Sequence, residues 1–275
     1  MIDPKPFVKW AGGKRRLIPV LTQYLPPDVK KRRHVEPFTG GGALFFHQNP
    51  DRALLSELNP SLVSAYKTVR DRIDELVDTL KALSTATSKE DYLRVRSDYN
   101  ERLGGQVLQT ARFIYLNRMC FNGLHRVNKK GHFNVPMGAY KNPRVLHEEV
   151  LRSASKALQG VVIELADFED MLEDIGSDDF VYIDPPYVPA SVTENFVSYT
   201  SNGFDMKDQM RLASFCSDLD RKGAKFMVSN SNTPPVLHMY KEWNIHHVEG
   251  PRSISSKSSS RKPAKEVIVT NYTAV

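Results

Sequence analysis

A short apolar run that ends in a carboxylate, two prolines and a tyrosine limits most strongly how this chain can fold. Residues 180–183 (FVYI) have the β-branched and aromatic composition of a buried strand. Residues 184–187 (DPPY) follow directly, and each proline lacks an N–H and pushes the preceding residue to extended geometry. The chain therefore leaves the strand as a stiff, extended segment that joins no helix.

This segment can hold an exocyclic amino group. Asp184 and the carbonyl group of Pro185 are hydrogen-bond acceptors, and Tyr187 offers a flat aromatic face. The alternative interpretation needs no ligand: an aspartate turn ends the strand, and prolines stiffen the loop that follows. Both interpretations are compatible with these four residues alone.

Length and composition describe a globular chain from a reducing compartment. The chain has 275 residues, which is enough for one large domain or for a core domain with a smaller inserted one. Its two cysteines, Cys120 and Cys216, lack C-x-x-C spacing, which predicts reduced packing residues in a cytosolic protein. No apolar run has the length of a signal or membrane-spanning segment, and a net charge of +6 favours a polyanionic partner only weakly.

Two glycine turns near the start indicate ligand-binding loops. Residues 11–14 (AGGK) precede a helix predicted at residues 15–25, but the Walker spacing is missing, which disfavours an NTPase. Lys14 can bind a carboxylate, and Trp10 can either cover an aromatic ligand or pack in the core. Residues 37–42 (PFTGGG) follow a strand and precede a helix, as at the ligand-binding corner of a doubly wound sheet. A glycine run can also be an ordinary loop, and G-x-G-x-x-G is absent.

Two further strands end in acids. Residues 53–56 predict a strand followed by Glu57, where a carboxylate can bind two ribose hydroxyls or simply face solvent. Residues 161–166 predict another, followed by Asp167 and Phe168, an acid and an aromatic ring that can meet an adenine and its amino group.

Between these strands the sequence predicts three consecutive helices. Residues 59–60 (NP) cap the first, and apolar residues recur at three- and four-residue steps from Leu62 to Leu83, which predicts one long amphipathic helix. Residues 88–91 (SKED) form a capping-box pattern for the second, and residues 107–119 predict the third. This run of helices suggests a helical domain inserted into the sheet.

Residues 118–141 have the composition of a nucleic-acid-reading loop or β-hairpin. Arginine, asparagine, lysine, glycine and aromatic residues are mixed there without apolar periodicity. Arginine pairs with guanine, asparagine suits adenine, and an aromatic side chain can wedge between bases. The alternative is a solvated charged face.

The remainder of the chain returns to regular patterns. Helices are predicted at 149–159 and 205–222, a polar loop at 191–204, a strand at 225–230, and a hairpin of 245–248 with 266–270. The serine-rich basic residues 252–262 are either a flexible linker or contacts to phosphates. His246 and His247 point to opposite faces of their strand, which disfavours a metal site.

Six of these segments, in this order, resemble the Dam family of DNA N6-adenine methyltransferases (α-type, D12 class), above all its GATC-specific members. They are residues 9–14 (KWAGGK), 36–42 (EPFTGGG), 122–126 (NGLHR), 133–136 (FNVP), 184–187 (DPPY) and 252–256 (RSISS). The resemblance covers nearly the whole chain.

The resemblance implies an α/β fold: a Rossmann-like class I methyltransferase sheet of seven strands, with an inserted, mainly helical DNA-recognition domain. Residues 1–58 and 149–275 would form the catalytic domain, and residues 59–148 the recognition domain. It implies S-adenosyl-L-methionine as the cofactor, S-adenosyl-L-homocysteine as its product, and double-stranded DNA as the partner. It also implies a cytoplasmic monomer that binds no membrane and no metal. Whether a cognate restriction endonuclease acts separately beside it stays open.

Position by position, the resemblance implies three sets of site residues. The catalytic set is Asp184, Pro185, Pro186 and Tyr187. The cofactor-binding set is Trp10, Ala11, Gly12, Lys14, Phe38, Gly40, Gly41, Glu57, Asp167, Phe168 and Asp184. The DNA-binding set is Phe121, Asn122, Leu124, Arg126, Asn128, Pro136, Tyr140 and Lys141. Arg126 is implied to read guanine and Phe121 to intercalate, whereas Ala139 replaces an arginine found in the solitary Dam type.

The expected chemistry is direct methyl transfer to a base that has left the helix. The N6 lone pair of adenine is delocalised, so the base must be flipped before the nitrogen can react. Tyr187 would stack on it while Asp184 and the Pro185 carbonyl accept both N6 hydrogens. Two alternatives stay open: methylation of cytosine N4 or of an RNA adenine, and a catalytically silent DNA-binding protein.

Overall fold

The computed structural model of the chain describes residues 2–187, 204–250 and 264–274. The chain divides into two compact units. The first comprises Met1–Gly13, Gly40–Asn49 and Asn59–Leu165, and the second Lys14–Thr39, Pro50–Leu58 and Ala166–Val275. The division at residues 58 and 149 that the sequence suggested stays a prediction. Among the helices described, none is both long and apolar enough to cross a membrane.

Within the described residues, seven strands form one mostly parallel sheet, which confirms the predicted α/β class. The strands are β1 (Arg33–Glu36), β2 (Ala53–Ser56), β3 (Val162–Glu164), β4 (Asp179–Ile183), β5 (Lys225–Ser231), β6 (Asn244–Gly250) and β7 (Ala264–Thr270). Their order is β3-β2-β1-β4-β5-β7-β6. β1 pairs in parallel with β2 and β4, β4 pairs in parallel with β5, and β7 is antiparallel to both of its neighbours. The predicted terminal hairpin is therefore confirmed.

The second unit is built around β4. All five residues of β4 are buried, as expected for a parallel strand covered on both faces. Val181 and Ile183 belong to the main apolar cluster of this unit, together with Phe226 and Val228 of β5. The carboxyl ends of β1, β2 and β4 lie at one edge of the sheet, where open α/β sheets bind their ligands.

The helices are α1 (Ile18–Leu21), α2 (Ala43–Gln48), α3 (Pro60–Asp71), α4 (Ile73–Leu83), α5 (Lys89–Asn100), α6 (Gln106–Met119), α7 (Glu148–Ala157), α8 (Met206–Arg221) and α9 (Pro234–Met239). Helix α6 lies at the centre of the first unit, because most of its residues are buried. The predicted caps are confirmed. Asn59 accepts hydrogen bonds from the amides of Ser61 and Leu62, and Ser88 and Asp91 form a reciprocal capping box.

Two predicted helices were wrong in extent. The stretch predicted as one helix to Leu83 is two, because Arg72 (φ −137°, ψ 43°) interrupts it between α3 and α4. The buried residues Val69 and Leu76 continue the apolar repeat across that break, so the repeat alone could not predict it. The stretch therefore holds four helices, not three.

The helix predicted at residues 15–25 is instead a 3₁₀ turn (Lys14–Arg16), the single turn α1 and a second 3₁₀ turn (Thr22–Tyr24). Pro19 has no N–H to donate to the preceding turn, which prevents a continuous helix. Helix α9 was not predicted. The polar loop predicted at 191–204, apart from Phe204, and the basic segment 252–262 lie outside the described residues.

Candidate active site

The segment after β4 carries a carboxylate that is largely withdrawn from water. The Asp184 side chain is 17% exposed, and its Oδ1 lies 2.8 Å from Nζ of Lys14. The pKa of Asp184 is raised to about 6: burial raises it most, Lys14 lowers it, and the nearby carboxylates of Glu266 and Glu36 raise it. A carboxyl with a pKa in this range is ionised at neutral pH and protonated only in mildly acidic solution.

The Tyr187 ring is fixed at two points. Its hydroxyl donates a hydrogen bond of 2.9 Å to Oε2 of Glu266, and its face lies 4.5 Å from Nζ of Lys14. Burial, with the charges of Asp184 and Glu266, holds the pKa of Tyr187 well above its usual value. The hydroxyl is therefore a hydrogen-bond donor at all ordinary pH values.

The prolines between these residues are anchored from α8 and β5. The Pro186 carbonyl accepts a hydrogen bond of 3.1 Å from Nε2 of Gln209. The Oε1 of Gln209 in turn accepts one of 3.0 Å from Nδ2 of Asn230, and both amide side chains are fully buried. Because the Gln209 and Asn230 amides are withdrawn from water, the bond between them has a strongly specified geometry, and Gln209 extends it to the partly buried Pro186 carbonyl.

The predicted adenine-binding pair is covered by an arginine. Nη2 of Arg211 lies 2.9 Å from Oδ1 of Asp167, and its guanidinium lies 4.9 Å from the Phe168 ring centroid. The Phe168 ring is buried and stacks on Phe38, with 5.4 Å between ring centroids. Phe168 thus packs in the core, and Phe38 is the more exposed member of the pair.

The ends of β1 and β2 supply two more acids in this unit. Glu57 follows β2 directly and is half-buried. Glu36 closes β1, is buried, and lies 2.9 Å from Nε2 of His34. The Ser56 hydroxyl donates to the Ala166 carbonyl at 2.8 Å and so fixes the chain just before Glu57.

In the first unit, the glycine turn packs against Trp10. Gly40 has a positive φ of 48°, and a Cβ there would lie 3.0 Å from Cδ1 of Trp10. A larger residue would therefore displace the indole as well as strain the backbone. Trp10 also stacks on His125, with 5.4 Å between ring centroids. Ala11 and Gly12 are exposed beside it, and Gly41 continues the turn.

The predicted DNA-reading block, residues 118–141, is a hairpin-like loop. Isolated antiparallel bridges join Cys120 to Met137 and Val127 to Phe133. Oδ1 of Asn128 accepts hydrogen bonds from the amides of Lys130 and His132 and so holds the tip. The loop or hairpin expected from composition is confirmed.

Most of the predicted DNA-contacting side chains of this block are exposed. Phe121 is 50% exposed, and Arg126 extends along the surface with Nε 2.7 Å from Oδ1 of Asn134. Leu124 is half-buried, and Tyr140 donates its hydroxyl to the Cys120 carbonyl at 2.9 Å. The other exposed members are Asn122, Asn128, Pro136 and Lys141.

Comparisons with known proteins identify the family of this chain. Residues 10–254 match the family model of the D12 class N6 adenine-specific DNA methyltransferases. The chain belongs to this family. The methyltransferase is 44% identical to the type II methyltransferase M1.LlaDCHI of Lactococcus lactis subsp. cremoris, over 98% of this chain and 96% of the relative.

Two further relatives have the same span. The type II methyltransferase M.MjaIII of Methanocaldococcus jannaschii is 40% identical over 98% of this chain and 100% of its own length. The DNA adenine methylase of Escherichia coli K12 is 34% identical over 95% of this chain and 93% of its own. The resemblance found in the sequence is confirmed, and the methyltransferase is an enzyme specific for adenine in DNA.

Sequence reasoning missed several residues of the methyltransferase that the structure brings to these positions. In the second unit they are Glu266, Gln209 and Arg211, whose partners lie far away in the chain. A signal existed for Glu266 alone, because it is an acid that begins an otherwise apolar strand (EVIVT).

In the first unit, Lys9 was missed. Its Nζ lies 5.0 Å from the Tyr140 ring centroid, and Asn117 bonds both its amide and its carbonyl. The signal for Lys9 was its place at the start of the KWAGGK motif. Among the described residues, no group of three His, Cys, Asp or Glu side chains is placed to hold a metal ion.

Proposed function

We propose that this methyltransferase transfers a methyl group from S-adenosylmethionine to N6 of an adenine flipped out of double-stranded DNA, within the sequence GATC. The observation that carries the proposal is the segment after β4, where a largely buried carboxylate and an aromatic face lie together. Asp184 and Tyr187 are the residue types that an extruded adenine needs: an acceptor for its amine and a surface for its ring.

The chemistry required of the protein is mostly positioning. Asp184 and the Pro185 carbonyl would accept the two N6 hydrogens and favour a nitrogen whose lone pair points toward the methyl group. The ionised carboxylate is the stronger acceptor, and a pKa of about 6 supplies it at neutral pH. Lys14 would balance that charge, since it is already 2.8 Å from Oδ1.

The acidic edge of the second unit fits S-adenosylmethionine. This cofactor carries a sulfonium, an ammonium, two ribose hydroxyls and an adenine amino group, all of which suit carboxylate partners. Glu57 would hold the hydroxyls and Asp167 the adenine amino group, beside Phe38 and Phe168. When bound, the cofactor supplies an activated methyl group. The remaining proposed cofactor residues are Trp10, Ala11, Gly12, Lys14, Gly40 and Gly41, with Asp184 near the methionine end.

The block of residues 118–141 is proposed to bind the duplex. Phe121 is exposed enough to wedge between bases, and the Arg126 side chain is exposed at the surface, from which it can reach a guanine. Further contacts are proposed for Asn122, Leu124, Asn128, Pro136, Tyr140 and Lys141, with residues 59–148 as the recognition domain. Lys9 joins this set because of its contact with Tyr140.

Two relatives are named type II methyltransferases, which favours a modification role beside a separate restriction endonuclease. We propose that the enzyme acts as a cytoplasmic monomer. Light scattering of the purified chain with and without duplex would measure its oligomeric state.

The decisive experiment measures transfer of labelled methyl groups to duplexes that vary one base pair at a time around GATC. We expect N6-methyladenine as the product and a large loss of rate for each change within the four base pairs. Equal rates on all adenine-containing duplexes would overturn the GATC assignment. N4-methylcytosine as the product, or labelling of RNA alone, would overturn the substrate assignment.

A further inference from the structure

The hydroxyl of Tyr187 is held by a residue from a different part of the sheet. Glu266 lies in β7, where it pairs with Ser231 of β5 and Val248 of β6. A strand paired on both sides has a fixed backbone, so the Glu266 carboxylate is a fixed acceptor. Its 2.9 Å bond to Tyr187 therefore ties a residue of the segment after β4 to a strand that is paired on both sides.

This bond fixes the long axis of the tyrosine ring. One end of the axis is set by the backbone of the stiff segment after β4, and the other by the bond from the hydroxyl to Glu266. A donor bonded to an ionised acceptor is shorter and stronger than a neutral pair. Lys14, 4.5 Å from the ring centroid, then limits rotation about that axis. The ring face thus has one preferred orientation before any base arrives.

We propose that Glu266 is a positioning residue, which holds the Tyr187 ring in the orientation that a flipped adenine requires. This inference rests on the proposed stacking role of Tyr187. Without the bond the hydroxyl seeks another partner, the ring tilts, and the base amine no longer meets Asp184 in line with the methyl group. The step that suffers is methyl transfer, and binding of the duplex and of the cofactor is unaffected.

The test is a double-mutant cycle on Glu266→Ala and Tyr187→Phe, because each removes the same hydrogen bond and Tyr187→Phe keeps the ring. We expect each single variant to lower the single-turnover rate at pH 8 by about tenfold, the size expected for a bond to a charged group. The double variant should be no slower than either single variant. Glu266→Gln keeps an acceptor oxygen and should restore most of the rate.

A spectroscopic readout separates positioning from a merely structural effect. In a duplex with 2-aminopurine at the target position, fluorescence rises when the base leaves the helix and falls when it stacks on Tyr187. Glu266→Ala should therefore give a brighter complex than the unaltered enzyme, with dissociation constants for duplex and S-adenosylmethionine unchanged. Glu249→Ala, an exposed acid in the same hairpin, is the matched control and should behave as the unaltered enzyme.

Two results would overturn the inference: a rate for Tyr187→Phe equal to that of the unaltered enzyme, or additive losses in the double variant. Tyr187→Ala distinguishes a wrong role for Glu266 from a wrong role for Tyr187. If Tyr187→Ala is slow while Glu266→Ala is not, Tyr187 stacks without help from Glu266. If Tyr187→Ala keeps the full rate, the proposed role of Tyr187 is itself wrong.

Discussion

The segment after β4 and the block of residues 118–141 are both loops, but they are held in opposite ways. In the segment after β4, the Asp184 and Tyr187 side chains are half-buried or more, and each has a partner from another element, Lys14 and Glu266 respectively. In the block, Arg126 and Phe121 are exposed, and the partner of Arg126 among the described residues is a near neighbour in the hairpin, Asn134. The contrast agrees with the proposed roles, in which the segment after β4 carries out the reaction and the block reads the DNA.

The difference follows from what each task requires. Methyl transfer depends on placing atoms to within a fraction of an ångström, which only groups locked by packing and hydrogen bonds achieve. Reading a groove requires long side chains that reach base edges and adapt to them. We therefore expect substitutions after β4 to change rate or stability, and substitutions in the block to change sequence choice with stability intact.

The largest expected effect is that of Asp184→Asn. The amide is nearly isosteric but presents one acceptor and one donor, so it cannot accept the N6 hydrogens as the carboxylate does. We expect the single-turnover rate to fall by about 1000-fold, as for loss of a preorganised electrostatic partner. Duplex affinity should change by less than about threefold, since phosphate and base contacts dominate it. The measurement is labelled methyl transfer alongside fluorescence anisotropy.

Asp178→Asn is the matched control for that variant. Asp178 is exposed just before β4 begins, so its amide should leave the rate unchanged. Near-normal turnover by Asp184→Asn would remove the carboxylate from the reaction and erase the difference between the two regions.

Arg126→Ala is expected to act next most strongly, and on specificity. Loss of a bidentate contact to guanine should reduce discrimination at that base pair by about 10- to 100-fold. The melting temperature should not change, because the arginine is exposed. The measurement compares rates on duplexes altered at each position of the recognition sequence. Arg152→Ala, an exposed arginine paired with Asp74 and Glu148, controls for loss of a positive charge. Unaltered discrimination at the guanine would exclude Arg126 as its reader.

Much of the fold could be predicted because its signals are local. Strand composition, caps and the apolar repeat are carried by neighbouring residues, and they placed β4, the cap at Asn59 and the capping box at Ser88. The break at Arg72 could not be predicted, because the apolar repeat passes through it and no proline or glycine marks it. It depends on how α3 and α4 pack in the first unit, which no single stretch of sequence encodes.

The candidate site divides in the same way. Glu57 and Asp167 were predicted as site residues because an acid after a strand is a local pattern; Glu57 follows β2 directly, and Asp167 lies three residues beyond the end of β3. Gln209 had no local signal, and Glu266 had only its place as an acid in an apolar strand, since their partners lie 23 and 79 residues away and are brought near by the folded sheet and α8. The resemblance to a family assigned roles to motif residues, and it left out the residues that hold those motifs in place.

Gln209→Ala tests whether the anchoring after β4 contributes to stability. The truncation leaves the fully buried Asn230 amide without the acceptor that Gln209 provides, which should cost about 1–3 kcal/mol of unfolding free energy. Gln23→Ala is a well-matched control, because Gln23 also donates a hydrogen bond of 3.1 Å to a proline carbonyl, that of Pro19, but at the exposed surface. We expect no change beyond about 0.5 kcal/mol there. Equal losses in denaturant unfolding of both variants would contradict a special role for the buried relay.

The smallest expected effect is a shift of the pH profile, and it probes the electrostatics of the same segment. In the proposed mechanism the reaction uses ionised Asp184, whose pKa is raised to about 6 by burial, by Glu266 and by Glu36, against the opposing charge of Lys14. The rate should therefore fall as pH drops through about 6, approaching tenfold per pH unit below it.

Glu266→Gln removes one of the two negative charges that raise this pKa, so its acid limb should move to lower pH by less than about one unit. Single-turnover rates from about pH 5 to about pH 9 measure the limb, with Glu249→Gln as the exposed control. If the acid limb of Glu266→Gln stayed in place or moved upward, the titrating group would not be a carboxyl that faces Glu266, and the pH dependence would no longer distinguish this segment from the exposed block.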